Sequence, residues 1–157
     1  MLSSERFFIP IVLDGVVELD DKDIKQVAHL LNQLSQHRGE FIYKGNIQKI
    51  LEQNNFRLII IKNPETEEIV AMASVHYSTT LRHPDFGKGM VEDVVVDERF
   101  RGMGLGDLLA KYVIATARIL KIEKLELTSN PTRKAANELY LKHGFKQRDT
   151  NCYSLDI

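Results

Sequence analysis

Glu92 and Asp93 stand side by side in MVEDVVVD, a run otherwise built of valine and methionine. A bare carboxylate is costly in such surroundings, so one that persists there is a candidate for accepting a proton. The chain continues ERFRGMGLGDLL, with glycines at 102, 104 and 106 where the β-branched run gives way to an apolar helical pattern. A helix N-terminus leaves its first N–H groups without partners and carries the positive end of the dipole. Glycine lets that backbone approach a ligand closely. Gly102 to Asp107 can therefore present several amides to a phosphate or pyrophosphate, with Arg99 and Arg101 adding positive charge. Further on, Tyr140 lies one helical turn after Ala136 and beside Leu139, which turns its phenol inward as a candidate proton donor.

The glycines alone leave several readings open. A P-loop needs a lysine straight after its last glycine, and Asp107 stands there instead. A dinucleotide fingerprint fits Gly102 and Gly104 but meets Asp107 at its third glycine, although Glu126 follows roughly 20 residues on, as a ribose ligand would. A turn with no ligand is a further reading. The remaining pattern is R-x-x-G-x-G, carried by Arg101, Gly104 and Gly106.

These residues need elements to hold them. FFIPIVLDGVVELD reads as a hairpin about Asp14-Gly15, with Pro10 marking an edge strand. DDKDIKQVAHLLNQLSQ carries a helical stripe of Ile24, Val27, Ala28, Leu31 and Leu34, which Asp20 or Asp21 can cap. NIQKILEQN is a short second helix, FRLIIIKN and IVAMASVHYSTTL are strands, and LRHPDFGKG between IVAMASVHYSTTL and MVEDVVVD reads as a loop. GLGDLLAKYVIATARIL is a helix, KLELT a strand, and PTRKAANELYLKH a helix with Pro131 in its first turn and Gly144 just past its end. FKQRD and NCYSLDI read as closing strands. Residues 90 to 128 form a βαβ unit, so its strands run parallel, while the earlier strands run antiparallel. The expectation is a single α+β domain over residues 1–157, with a mixed sheet and helices on both faces.

Composition narrows the function classes. The 157 residues carry 21 Lys+Arg against 22 Asp+Glu, without the basic excess that nucleic-acid binding favours. The N-terminal apolar patch is broken by Pro10 and Asp14, and no stretch approaches the roughly 18 apolar residues of a membrane span. Cys152 is the only cysteine, which is compatible with a reducing compartment, and a cytoplasmic protein is expected. The five histidines have no metal-site spacing, so no metal is expected.

The glycine turn on this strand, followed by ELTSNPTRKAANELYLKHGF, resembles the GCN5-related N-acetyltransferase (GNAT) superfamily. The second stretch is similar to that family's closing helix, with Ala136, Leu139, Tyr140, Gly144 and Phe145 in order. The resemblance implies a GNAT-like fold and acetyl-CoA as acyl donor. It implies that Arg101, Gly102, Met103, Gly104, Leu105, Gly106 and Asp107 bind the CoA pyrophosphate, and that Val94, Val95 and Val96 contact the pantetheine arm. Asn130, Arg133 and Asn137 would lie near the pantetheine or adenosine end. The N-terminal strand, within residues 1–15, lies outside the family's minimal pattern and is an added edge strand or a homodimer contact.

Acetyl transfer to an amine sets the remaining roles. A lysine-like amine has a pKa of about 10.4 and must lose a proton to attack. Glu92 is the first candidate to accept it and Asp93 the second; the alternative is that both pair with cations at the strand's exposed end. Successive strand residues face opposite ways, so Glu92 shares a face with Val94 and Val96 unless a β-bulge intervenes, as is common in this strand of the family. Tyr140 would protonate the departing thiolate. The acceptor that the resemblance implies is a small-molecule or peptide amine. Arg38, Lys44, Arg82 and Lys88 could bind an anionic one, and MVEDVVV resembles the matching strand of eukaryotic-type glucosamine-6-phosphate N-acetyltransferases. A non-catalytic CoA-binding regulatory module is the reading from a different class.

Overall fold

The computed structural model describes residues 8–14, 19–34 and 44–157. Five strands lie in the order β1-β2-β3-β4-β5: β1 (Ile9–Leu13), β2 (Phe56–Lys62), β3 (Ile69–Thr80), β4 (His83–Val96) and β5 (Lys124–Glu126). The first four are successively antiparallel, and β5 joins β4 in parallel. The helices are α1 (Asp21–Leu34), α2 (Lys44–Leu51), α3 (Leu105–Ile119) and α4 (Lys134–Lys142), with a short 3-10 turn at Glu98–Phe100 before α3. None of the described helices is long and apolar enough to cross a membrane.

Each face of the sheet buries its own core. Ile24, Val27 and Leu30 of α1 pack with Leu58, Ile60, Met72 and Val95. Leu105, Leu109 and Val113 of α3 pack on the other face with Ile59, Ile61, Ala71, Ala73, Val75 and Val91. The alternation along β2 and β3 assigns successive residues to opposite cores. Asp20 starts α1, its Oδ1 accepting from the Asp23 N–H at 2.7 Å.

Two irregularities in β4 set the geometry around Glu92 and the glycine turn. First, β5 pairs with β4 only over Lys88–Met90, so the edge of β4 from Val91 onward has no strand beside it among the described residues. Second, Met72 pairs with Val95 but Ser74 with Glu92, so β4 spends one more residue there than β3. Asp93, at φ 53°, lies within that bulge. The bulge is the alternative that the family resemblance raised, and it changes the parity of β4 at this point. Glu92 shares a face with Ser74 and the α1 core, whereas Val94 and Val96 pack with the α3 core.

Three sequence expectations differ from this. The segment expected as a loop, LRHPDFGKG, is mostly strand: β4 starts at His83 and pairs back onto β3 through Ser78↔Lys88. Residues 145–157, read as two closing strands, form none; residues 149–157 are exposed. The helix expected from Pro131 starts at Lys134, because Asn130 holds an Asx turn first, its Oδ1 accepting from the Thr132 N–H at 2.9 Å. Of the N-terminal hairpin, the first strand is β1, at the sheet edge; its turn at Gly15 and residues 16–18 lie outside the described residues.

Candidate active site

The glycine turn carries the strand edge into a helix end. Asp97, only 1% exposed, caps the 3-10 turn by accepting from the Arg99 N–H. Gly102 and Gly104 both take φ 78°, a left-handed conformation in which other residues are strained. Gly104 is the N-cap of α3, and no side chain caps that end. A Cβ at Gly102 or Gly104 would meet no atom within 4 Å, so the turn has open space above it. A Cβ at Gly106 would come 3.3 Å from Leu139 Cδ2, which makes Gly106 the point where α4 packs closely on α3. Met103 is exposed and Leu105 is buried.

Between the uncovered edge of β4, α3 and α4 runs an apolar cleft lined by Val91, Val94, Leu109, Leu127, Tyr140 and Phe145, among others. Tyr140 is 8% exposed. Its phenol makes no hydrogen bond to the described residues. Burial raises its pKa above the usual tyrosine value, with the Arg133 charge opposing. Its orientation comes from the end of α4. The Phe145 N–H bonds to the Tyr140 carbonyl at 3.0 Å, with Gly144 at φ 90° between them. This is a Schellman closure, and it stacks the two rings edge to face at 5.9 Å.

The carboxylates part company at the bulge. Glu92 is exposed on the α1 side of the sheet. Asp93 is half-buried, and its Oδ2 accepts from Ser74 Oγ at 2.9 Å. Arg101 donates from Nε to the Val96 carbonyl and Arg133 from Nη2 to the Val94 carbonyl, each at 3.3 Å. These two arginines thus lie along β4, while the Val95 side chain belongs to the α1 core. Asn137 Nδ2 donates to the Asn130 carbonyl at 3.1 Å, tying the first turns before and within α4 together.

Several charges are already committed. Arg99 grips the buried Asp97 from Nε and Nη2, and this holds the Asp97 carboxyl below its usual range. Arg99 is therefore a partner of the strand end rather than a free cation over the turn. Asp107 accepts from Lys111, Lys142 and His143 at 2.7, 2.6 and 2.9 Å, which clamps α3 to α4 and lowers its pKa well below the carboxylate range. Glu126 is held by Lys88, Lys124 and Arg148, and its pKa falls to about 2. Engaged in this way, Glu126 is not presented to a ribose, and the dinucleotide reading loses its acidic ligand.

Both depressed values make stability depend on pH in a stated direction. A carboxylate with a lowered folded pKa stabilises the fold fully above its unfolded value, about 4. That contribution is lost as pH falls toward the folded value, about 2 for Glu126. Thermal unfolding followed from pH 6 downward should show Tm falling below about pH 4.5. Asp107→Asn should lower Tm at pH 6 and flatten the acid slope; a slope identical to the parent's would contradict the clamp.

Two polar residues were not singled out for chemistry from sequence. Ser74, 2% exposed, breaks the apolar run IVAMAS, and that interruption was the available signal. Ser129, two residues beyond the cleft-lining Leu127, has a buried Oγ with no hydrogen-bond partner among the described residues. Arg38 and the side chain of Lys44 lie outside the described residues.

Comparison with known proteins fits this geometry. A sequence model of the acetyltransferase (GNAT) family matches residues 24–145. An aminoalkylphosphonate N-acetyltransferase of Salmonella typhimurium is 30% identical over 103 residues, 66% of this chain and 64% of that protein. The match thus spans under two thirds of the relative's length. An acetyltransferase from Trypanosoma brucei superposes with a TM-score of 0.76 at 24% identity, covering 96% of this chain and all of that one. Glucosamine-6-phosphate N-acetyltransferase from Arabidopsis thaliana gives 0.72 at 21% identity, covering 94% and 98%.

Proposed function

This chain belongs to the GNAT acetyltransferase family, and we propose that it is an acyltransferase that transfers acetyl from acetyl-CoA to a primary amine by direct attack, as a single domain over residues 1–157. Acetyl-CoA supplies an acetyl group activated as a thioester. The observation that carries the reading is the uncovered edge of β4 running into an uncapped, left-handed glycine turn. A chain of amide and pyrophosphate groups needs such a surface: an extended backbone edge, then clustered N–H donors. Residues 101 to 107 would hold the pyrophosphate, with Arg101 as the adjoining cation and Asp107 fixing α3 against α4. Val94, Val95 and Val96 would offer backbone groups to the pantetheine arm. Arg133 and the orphaned Ser129 Oγ supply polar groups for the same arm, and Asn130 and Asn137 hold the turn that places them.

Glu92, itself exposed on the sheet face it shares with the buried Ser74, accepts the amine proton, directly or through water. Asp93, bonded to Ser74, holds the bulge that turns Glu92 to that face. Tyr140 keeps its proton, because burial disfavours the phenolate, and can donate it to the departing sulfur. The apolar wall of the cleft excludes water from that step.

Thiol release from acetyl-CoA across a panel of amines tests the reading. Glu92→Gln should lower kcat/KM by about 100-fold, within the usual range for a general base. Acetyl-CoA binding with no amine acetylated would instead identify a regulatory CoA-binding module. For the acceptor, the MVEDVVV strand favours glucosamine 6-phosphate, and the Salmonella relative favours an aminoalkylphosphonate. Both are anionic amines.

A further inference from the structure

The face of the sheet that bears Glu92 continues away from the α1 core as a polar floor. Residues paired in register share a face, so Ser74 and Glu92, His76 and Met90, and Ser78 and Lys88 form successive rungs, with Lys124 and Glu126 of β5 beside the last two. Glu92, His76 and Ser78 are exposed. His76 is steadied by Asn55, whose Nδ2 lies 2.9 Å from the ring Nε2. The floor ends in a cavity of about 390 Å³ lined by Thr80, Leu81, Arg82, Lys88, Lys124, Glu126 and Arg148.

Four cationic side chains line this cavity against one carboxylate. Glu126 is 11% exposed and already contacts Lys88, Lys124 and Arg148, so it lies beneath them rather than competing at the opening. Its low pKa reports the same excess of positive charge. Arg82 enters from the β3–β4 turn and is exposed. None of these groups adjoins the glycine turn, which follows the opposite end of β4.

We propose that this cavity is the anion subsite of the acceptor, holding a phosphate ester while the amine lies at Glu92. The proposal rests on the acetyltransferase reading. Lys88 and Glu92 are four residues apart on a regular part of β4, so their Cα atoms are about 13 Å apart. Lys88 and Arg148 meet at Glu126, which lies beside Met90, two residues from Glu92, so the cations begin about 7 Å from Glu92 along the strand. The preferred acceptor therefore carries its phosphate several bonds from its nitrogen, as a phosphorylated amino sugar does. A two-carbon aminophosphonate is too short to occupy both places.

Steady-state kinetics with D-glucosamine 6-phosphate, D-glucosamine and 2-aminoethylphosphonate would test this, together with calorimetric binding of inorganic phosphate. Arg82→Ala and Arg148→Ala should each raise KM for glucosamine 6-phosphate about tenfold, the loss expected for one charge-assisted contact. kcat, KM for acetyl-CoA and KM for glucosamine should stay the same. Phosphate should bind the parent protein and not the double variant. Because Arg82 takes no part in the Glu126 cluster, its variant separates anion binding from local structure. Equal effects on glucosamine and its 6-phosphate, phosphate binding that survives both changes, or a preference for 2-aminoethylphosphonate would overturn the proposal. If phosphate binding is lost on cue but no amine is acetylated, the anion site stands and the acetyltransfer reading falls.

Discussion

Gly104→Val is expected to weaken acetyl-CoA binding by about 100-fold, or roughly 2.7 kcal/mol. Gly104 takes φ 78° at the N-cap of α3. A non-glycine residue in that region costs about 1–2 kcal/mol, and a β-branched one is the worst placed. Valine would either bear that strain or move to negative φ, turning the first amides of α3 away from a common target. Its side chain would also stand in the open space above the turn, where an added Cβ meets nothing within 4 Å. Strain alone would lower Tm by several degrees in a domain of this size, on the order of 4 °C. The larger effect belongs to binding, because both changes act at the ligand's place. Gly106→Ala is the contrasting change. Its φ is not left-handed, and its Cβ would press on Leu139, which neighbours Tyr140 on α4. That variant should disturb turnover more than affinity. Calorimetric titration of CoA into the three proteins decides the matter; an unaltered affinity in Gly104→Val would remove the phosphate cradle from the proposal.

Gly104 and Tyr140 were legible because their signals are local. A left-handed N-cap selects glycine, and a Schellman end selects Gly144 with an apolar Phe145 after it, so the residue types announce the geometry. The α1 and α3 stripes were legible for the same reason, since burial on one face imposes a helical period. What was not legible depends on partners distant in sequence. The bulge at Asp93 arises from how β4 pairs with β3, and nothing in VEDVVV states that register. Only the family resemblance raised the bulge, and with it in place Glu92 faces away from Val94 and Val96. Asp107 reads as a broken dinucleotide motif until Lys142 and His143, brought by α4, are found on it. Glu126 reads as a ribose ligand until Lys88 and Arg148 close over it. The error at FKQRD and NCYSLDI has a related cause: strand propensity is a weak prior without a neighbouring strand to pair with, and these segments have none among the described residues. The same long-range pairing that makes the bulge also sorts the chemistry by face, with the cleft and Tyr140 on one side and the polar floor and Glu92 on the other, and the two meet only where β5 parts from β4 beyond Met90.

Tyr140→Phe should lower kcat by about 100-fold while leaving acetyl-CoA affinity within about twofold, since a positioned acid is worth roughly 10²–10⁴. The substitution removes the hydroxyl alone. The ring keeps its edge contact with Phe145 and its place among Val91, Val94 and Leu109, so the cleft keeps its shape. Stability should change little, because the phenol makes no hydrogen bond to the described residues that the variant would lose. A tyrosine retained only for packing would be indifferent to the change. The direction of the pKa shift adds a second readout. Burial raises the Tyr140 pKa, so the acid form persists through neutral pH, and activity should fall only on the far alkaline side as the proton is lost. In the variant that alkaline fall should vanish. An acyl donor with a more acidic thiol needs less help at the departing sulfur, so it should narrow the gap between the two proteins. Turnover equal to the parent's across the pH range would show that the departing sulfur takes its proton from solvent, and Tyr140 would then be a wall of the cleft and nothing more.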